Sequence, residues 1–138
     1  MTDFDEARIA HLTMIQGVVT RMAGNSFALK ALTVTLTAAV LVFAGATKEP
    51  SPVLVFAGLV PVVVFWLLDA HHLRLERLFR RLYDGVRGGE VADPFDMDIA
   101  PYRVDEQGVL RIAVSWSVVS FYGALFVVLI VLTLLLSR

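Results

Sequence analysis

The chain has 138 residues, enough for one domain, and 57% of them are hydrophobic, against roughly 45–50% in a soluble globular protein. Its net charge of −1 gives no global basic field for nucleic acid. The absence of cysteine excludes disulfides, thiolate metal sites and cysteine nucleophiles.

Asp3 to Ala23 reads as an amphipathic helix, with Leu12, Ile15, Val19 and Met22 recurring at steps of three and four. No short apolar core with a small-residue cleavage site appears here, so no cleavable signal peptide is expected. The tripeptide "GNS", Gly24 to Ser26, is expected to interrupt the helix, with Asn25 or Ser26 capping the first span. The predicted elements are therefore a cytoplasmic helix over 1–26 and a first transmembrane helix over 27–46. The latter holds twenty residues, about 30 Å of helix, which matches a bilayer core. Lys30 stands in its first turn, and Thr33 and Thr37 share one face as a packing surface.

The second span covers 52–69, kinks at Pro61 and continues as a cytoplasmic helix to 87. An acidic, proline-containing loop over 88–111 comes next, without helical periodicity. The third span covers 112–136, where Ser117, Ser120 and Ala124 make a second packing surface. The expected fold is an all-α integral membrane protein, because in lipid the backbone must satisfy its own hydrogen bonds. Orientation follows from the basic residues. Ten of the twelve Lys and Arg fall before the first span, at its edge, or between the second and third; only Lys48 and Arg138 lie opposite. The N-terminus and central loop are thus expected in the cytoplasm and the C-terminus outside. Trp66, Trp116 and Tyr122 fall at the cytoplasmic interface of this layout.

The stretch "VFWLLDAHHLRLERLFRRLY", Val64 to Tyr83, carries the candidate sites. Asp69, His72, Glu76 and Arg80 share one helical face, and Leu75, Leu78 and Leu82 lie on the opposite stripe. Asp69, His72 and Glu76 could hold Zn²⁺ or Mn²⁺. The plainer reading pairs Asp69 with Lys30 or Arg21 at the membrane boundary and requires no metal or other cofactor. The leucine stripe is expected to bury itself against Leu12, Ile15, Val19 and Met22. Arg74, Arg77, Arg80 and Arg81 form a juxtamembrane cluster suited to anionic lipid. Asp93, Asp96 and Asp98 lack the framing of a calcium loop and read as solvated. No nucleophile stands beside a base and no phosphate loop appears, so no enzyme is expected.

"RMAGNSFALK" at Arg21 to Lys30 and "FWLLDAHHLRLERLFRRLYDGV" at Phe65 to Val86 resemble motifs of a family of small bacterial inner-membrane proteins. That resemblance implies an N-terminal helix and a kinked hairpin of spans, located in the bacterial inner membrane, and carries no activity. The order of cytoplasmic helix, two spans and cytoplasmic helix also resembles SLATT-type membrane modules. These are proposed to act as pore-forming effectors in bacterial conflict, and the third span departs from their layout. The expected function is a homo-oligomeric membrane effector or channel-like module, in stress or phage defence. The alternative is a membrane adaptor that docks a cytoplasmic protein partner through its two helices. Metal or proton transport at Asp69 and His72 is a third reading.

Overall fold

The computed structural model describes residues 3–46 and 51–137; Lys48 and Arg138 lie outside them. Among the described residues five helices run in chain order: α1 (Asp3–Ala46), α2 (Pro52–Ala57), α3 (Leu59–Gly88), α4 (Val109–Ala113) and α5 (Trp116–Leu136), with a 3-10 turn at Ala100–Arg103. The fold is all-helical among the described residues. Three helical lengths, Glu6–Ala46, Pro52–Gly88 and Trp116–Leu136, are long and apolar enough to cross a membrane.

The expected interruption at Gly24 to Ser26 is absent, and α1 is one helix of 44 residues. Gly, Asn and Ser each lower helix propensity by up to about 1 kcal/mol, yet α1 packs along α3 on both sides of them. Ser26 faces inward and accepts from Lys30 Nζ at 2.8 Å, so it acts as a side-chain acceptor within the helix, not as a cap. From there Ser26, Lys30, Thr33, Thr37, Val40 and Ala44 turn inward at alternating steps of four and three. This is the period that keeps one seam of a helix on its neighbour.

The second apolar length breaks at Gly58, three residues before Pro61. Pro61 has no N–H for the Ala57 carbonyl, and its ring crowds that carbonyl, so the helix parts there. Gly58 then donates back to Val55 O at 3.0 Å. A Cβ at Gly58 would lie 3.0 Å from Val55 O, 3.2 Å from Val40 Cγ1 and 3.7 Å from Leu129 Cδ2, so α1, the break and α5 meet closely and an added side chain requires its neighbours to shift. Gly58→Leu is expected to cost about 1–3 kcal/mol by overpacking, read as a lowered melting temperature in detergent, with Gly58→Ala costing less.

The third apolar helix begins at Trp116, not at the expected 112. Trp66 Nε1 donates to the Ala113 carbonyl at 2.9 Å, the carbonyl that Ser117 would use in a continuous helix. Ser115 is extended (φ −66°, ψ 149°), and its carbonyl opens α5 by accepting from Val118 and Val119.

Between α3 and α4 the chain folds back as a strap. Gly89, at φ +80°, closes α3 in a conformation glycine adopts without strain, and Glu90 donates to Gly85 O at 2.9 Å. The strap then tracks α3 turn by turn. Tyr102 lies over Gly85, where a Cβ would come within 2.5 Å of its hydroxyl. Arg81 donates to Asp105 O, Arg74 donates to Gln107 O at 3.1 Å, and Ile112 and Ala113 pack on Ala70. The aspartates expected to be solvated serve this path. The carboxylates of Asp93, Asp96 and Asp98 each accept the backbone N–H two residues on, at 2.8–2.9 Å. A head results, built from the first half of α1, the second half of α3 and the strap.

Candidate functional site: a polar centre among three apolar helices

Where the head meets the apolar half, α1 contributes Lys30, Thr33 and Thr37, α3 contributes Asp69, and α5 contributes Tyr122. Asp69, Thr33 and Tyr122 are each 0% exposed. Lys30 Nζ lies 2.5 Å from Asp69 Oδ2 and 5.9 Å from the centre of the Tyr122 ring. The Thr33 hydroxyl donates to Leu29 O at 2.7 Å. Asp69 Oδ1, the Tyr122 hydroxyl and Thr37 Oγ1 have no hydrogen-bond partner among the described residues. The Tyr122 hydroxyl stands near Asp69 and Thr33 but meets hydrogen-bond geometry with neither. Its ring is fixed by stacking on Trp66 at 6.1 Å and 9°.

Burying an isolated carboxylate is costly, whereas a close ion pair offsets much of that cost. The centre therefore neutralises its own charge. Chemically it can lock α1 to α3 and hold a phenol against a carboxylate. Arg21, the other expected partner of Asp69, is exposed and sits nine residues before Lys30, about 14 Å along the helix. It does not reach the centre.

The three side chains of the metal reading are not brought together among the described residues. His72 Nδ1 bonds to its own helix at Leu68 O, 2.8 Å away, and Glu76 pairs with Arg80 at 2.7 Å. Asp69 is held by Lys30, and the described residues contain no group of three metal-ligating side chains.

In the head, Leu12, Ile15 and Val19 of α1 meet Leu75, Leu78 and Leu82 of α3 in one cluster, joined by Ile99, Met97 and Tyr102 from the strap. Met22, expected with them, is half-buried outside this cluster. The arginines expected at lipid also make contacts within the chain, with the Arg80 side chain still 64% exposed. Arg77 and Arg81 approach Glu106 at 3.8 and 3.1 Å, Arg74 holds Gln107, and Arg80 holds Glu76.

Sequence reasoning missed three residues. His11, 1% exposed, bonds Asp96 O at 2.6 Å; its spacing of four from Ile15 was a usable signal. Tyr122, expected at an interface, is in the core. Glu106, whose side chain is 5% exposed, carried no signal, because its partners depend on how the strap folds back. Comparison with protein-family models, curated proteins and solved structures finds no match to this chain.

Proposed function

We propose that the chain is an integral membrane protein of three spans, with the head in the cytoplasm and the C-terminus outside, that works as a homo-oligomer. In this reading it is a channel-like or effector module and not an enzyme. The bacterial inner membrane, and a role in stress or phage defence, are the setting that the sequence resemblances favour.

The observation that carries the reading is the outer face of α1. Gly24, Ala28, Ala31, Thr35, Ala38 and Gly45 are all exposed and, with Val42, succeed one another at alternating steps of four and three. Small residues let two helix backbones approach closely in lipid, where packing replaces the hydrophobic drive. Thr35 brings no unmet donor, since its hydroxyl bonds to Ala31 O at 3.0 Å. Ser117, Ser120 and Ala124 of α5 also point away from the chain. Any conducting path would run between copies, because the centre within one copy is closed by its own ion pair.

Cysteine at Ala31 or Ala38, in this otherwise cysteine-free chain, is expected to cross-link between copies in native membranes. Ala31→Leu with Ala38→Leu is expected to dissociate the oligomer and abolish any depolarisation that a voltage dye reports on overexpression. A single-copy wild type without cross-links overturns the reading.

One observation favours the adaptor alternative. Ile9, Leu12, Gly17, Thr20 and Tyr83 line an open cleft on the head, and Ile9 is 54% exposed. A monomeric wild type that leaves the potential unchanged, and loses a stoichiometric partner on Gly17→Trp, would establish the adaptor instead.

A further inference from the structure

The elbow between α4 and α5 has an inward and an outward side. Ile112 and Ala113 are buried against Ala70, one residue past Asp69, and Trp66 ties Ala113 O to α3. The elbow is thereby held at the level of the polar centre. Outward stand Leu110 at 75%, Val114 at 66% and Trp116 at 84% exposure, with exposed Arg111 among them.

Arg111 differs from the arginines of α3. Those engage Glu106, Glu76, Gln107, Asp105 and Asp84. Among the described residues Arg111 has no ion pair or side-chain hydrogen bond. Arg21 and Arg103 are also unpaired, but Arg21 stands about 14 Å beyond Lys30 along α1 and Arg103 follows Tyr102 at the far end of α3. Among the described residues, Arg111 is the free cation at the height where α5 begins.

We infer that this elbow is an interfacial anchor for anionic phospholipid: Arg111 takes the headgroup phosphate, and Leu110, Val114 and Trp116 enter the acyl boundary beside it. The inference rests on the three-span reading. An outward apolar trio beside a guanidinium suits the boundary between headgroups and chains, where tryptophan concentrates and arginine stems extend toward water. A basic residue at an anionic leaflet is worth about 1 kcal/mol, roughly a fivefold local preference. It adds a lipid contact at the start of the third span to the one expected of the α3 cluster, where the strap engages Arg74, Arg77 and Arg81 while Arg80 pairs within its own helix.

The test uses full-length protein in nanodiscs of phosphatidylcholine alone or with phosphatidylglycerol, with single cysteines at 110, 114, 87 and 128. Nitroxide labels at 110 and 114 are expected to collide with oxygen more than with an aqueous nickel complex, and the label at 87 the reverse. A bimane at 114 is expected to be quenched several-fold more by doxyl-phosphatidylglycerol than by doxyl-phosphatidylcholine. Arg111→Gln abolishes that preference and Arg111→Lys retains most of it. Labels at 110 and 114 open to nickel, shielded from both reagents as under a second copy, or equally quenched by both lipids overturn the inference. Val128 separates this failure from that of the parent reading. An immersed label at 128 leaves the third span standing, and a water-exposed one removes it.

Discussion

Lys30→Met is expected to destabilise the protein more than Asp69→Asn, although both break the same ion pair. Asp69 is 0% exposed, so the lysine variant leaves a fully buried carboxylate without a partner. Removing one partner of a buried pair costs about 3–5 kcal/mol. The Lys30 side chain is 27% exposed and already bonds Ser26, so without Asp69 its ammonium can turn outward along its own stem. Asp69→Asn also keeps an acceptor in place, and its expected cost is about 1–3 kcal/mol. The double variant Lys30→Met with Asp69→Leu is expected to return to within about 1 kcal/mol of wild type, since apolar replacement of a buried pair is often neutral or better. Thermal unfolding of all four proteins in one detergent measures the ordering. A double variant as unstable as the worse single would show that the pair does not couple α1 to α3.

The second large effect belongs to the head. Ile15, Leu78 and Leu82 are at most 1% exposed, and each joins α1, α3 and the strap in one cluster. Truncating any of them to alanine should cost about 2–5 kcal/mol through lost burial and the cavity left behind. Met22→Ala should cost under about 1 kcal/mol, because that side chain lies outside the cluster. Hydrogen exchange gives the local readout: amides over 75–88 and 99–103 should lose protection together in Leu78→Ala, while those of α5 stay slow. Equal effects at Met22 and Leu78 would contradict the packing described.

Much of this was legible from periodicity. The apolar lengths and the stripes holding Ile15, Val19, Leu78 and Leu82 follow from spacing, the stripes pair because each needs a partner, and Lys30 was one of two candidates for Asp69, with Arg21 the other. The features that were not legible depend on contacts distant in sequence. Gly24–Asn25–Ser26 reads locally as a stop, but α3 packs against both flanks and carries the helix through. Pro61 announces a break, and its position at Gly58 follows from the carbonyl that Pro61 cannot satisfy together with the close approach of Val40. The break before α5 sits where Trp66 reaches Ala113 across 47 positions of sequence. The strap contacts of Arg74, Arg77 and Arg81 were not legible because Glu106, Asp105 and Gln107 lie 24 or more positions on, and only the strap returns them to α3.

In the proposed layout three apolar helices cross a bilayer and leave the head and the C-terminus on opposite sides. Because the chain has no cysteine, Gly88→Cys and Ser137→Cys can each be probed with a membrane-impermeant maleimide in intact cells and again after permeabilisation. The thiol at position 137 is expected to react in intact cells, and the thiol at position 88 only once the membrane is opened. Reaction of both positions under the same condition would place head and C-terminus on one side and contradict the three-span layout.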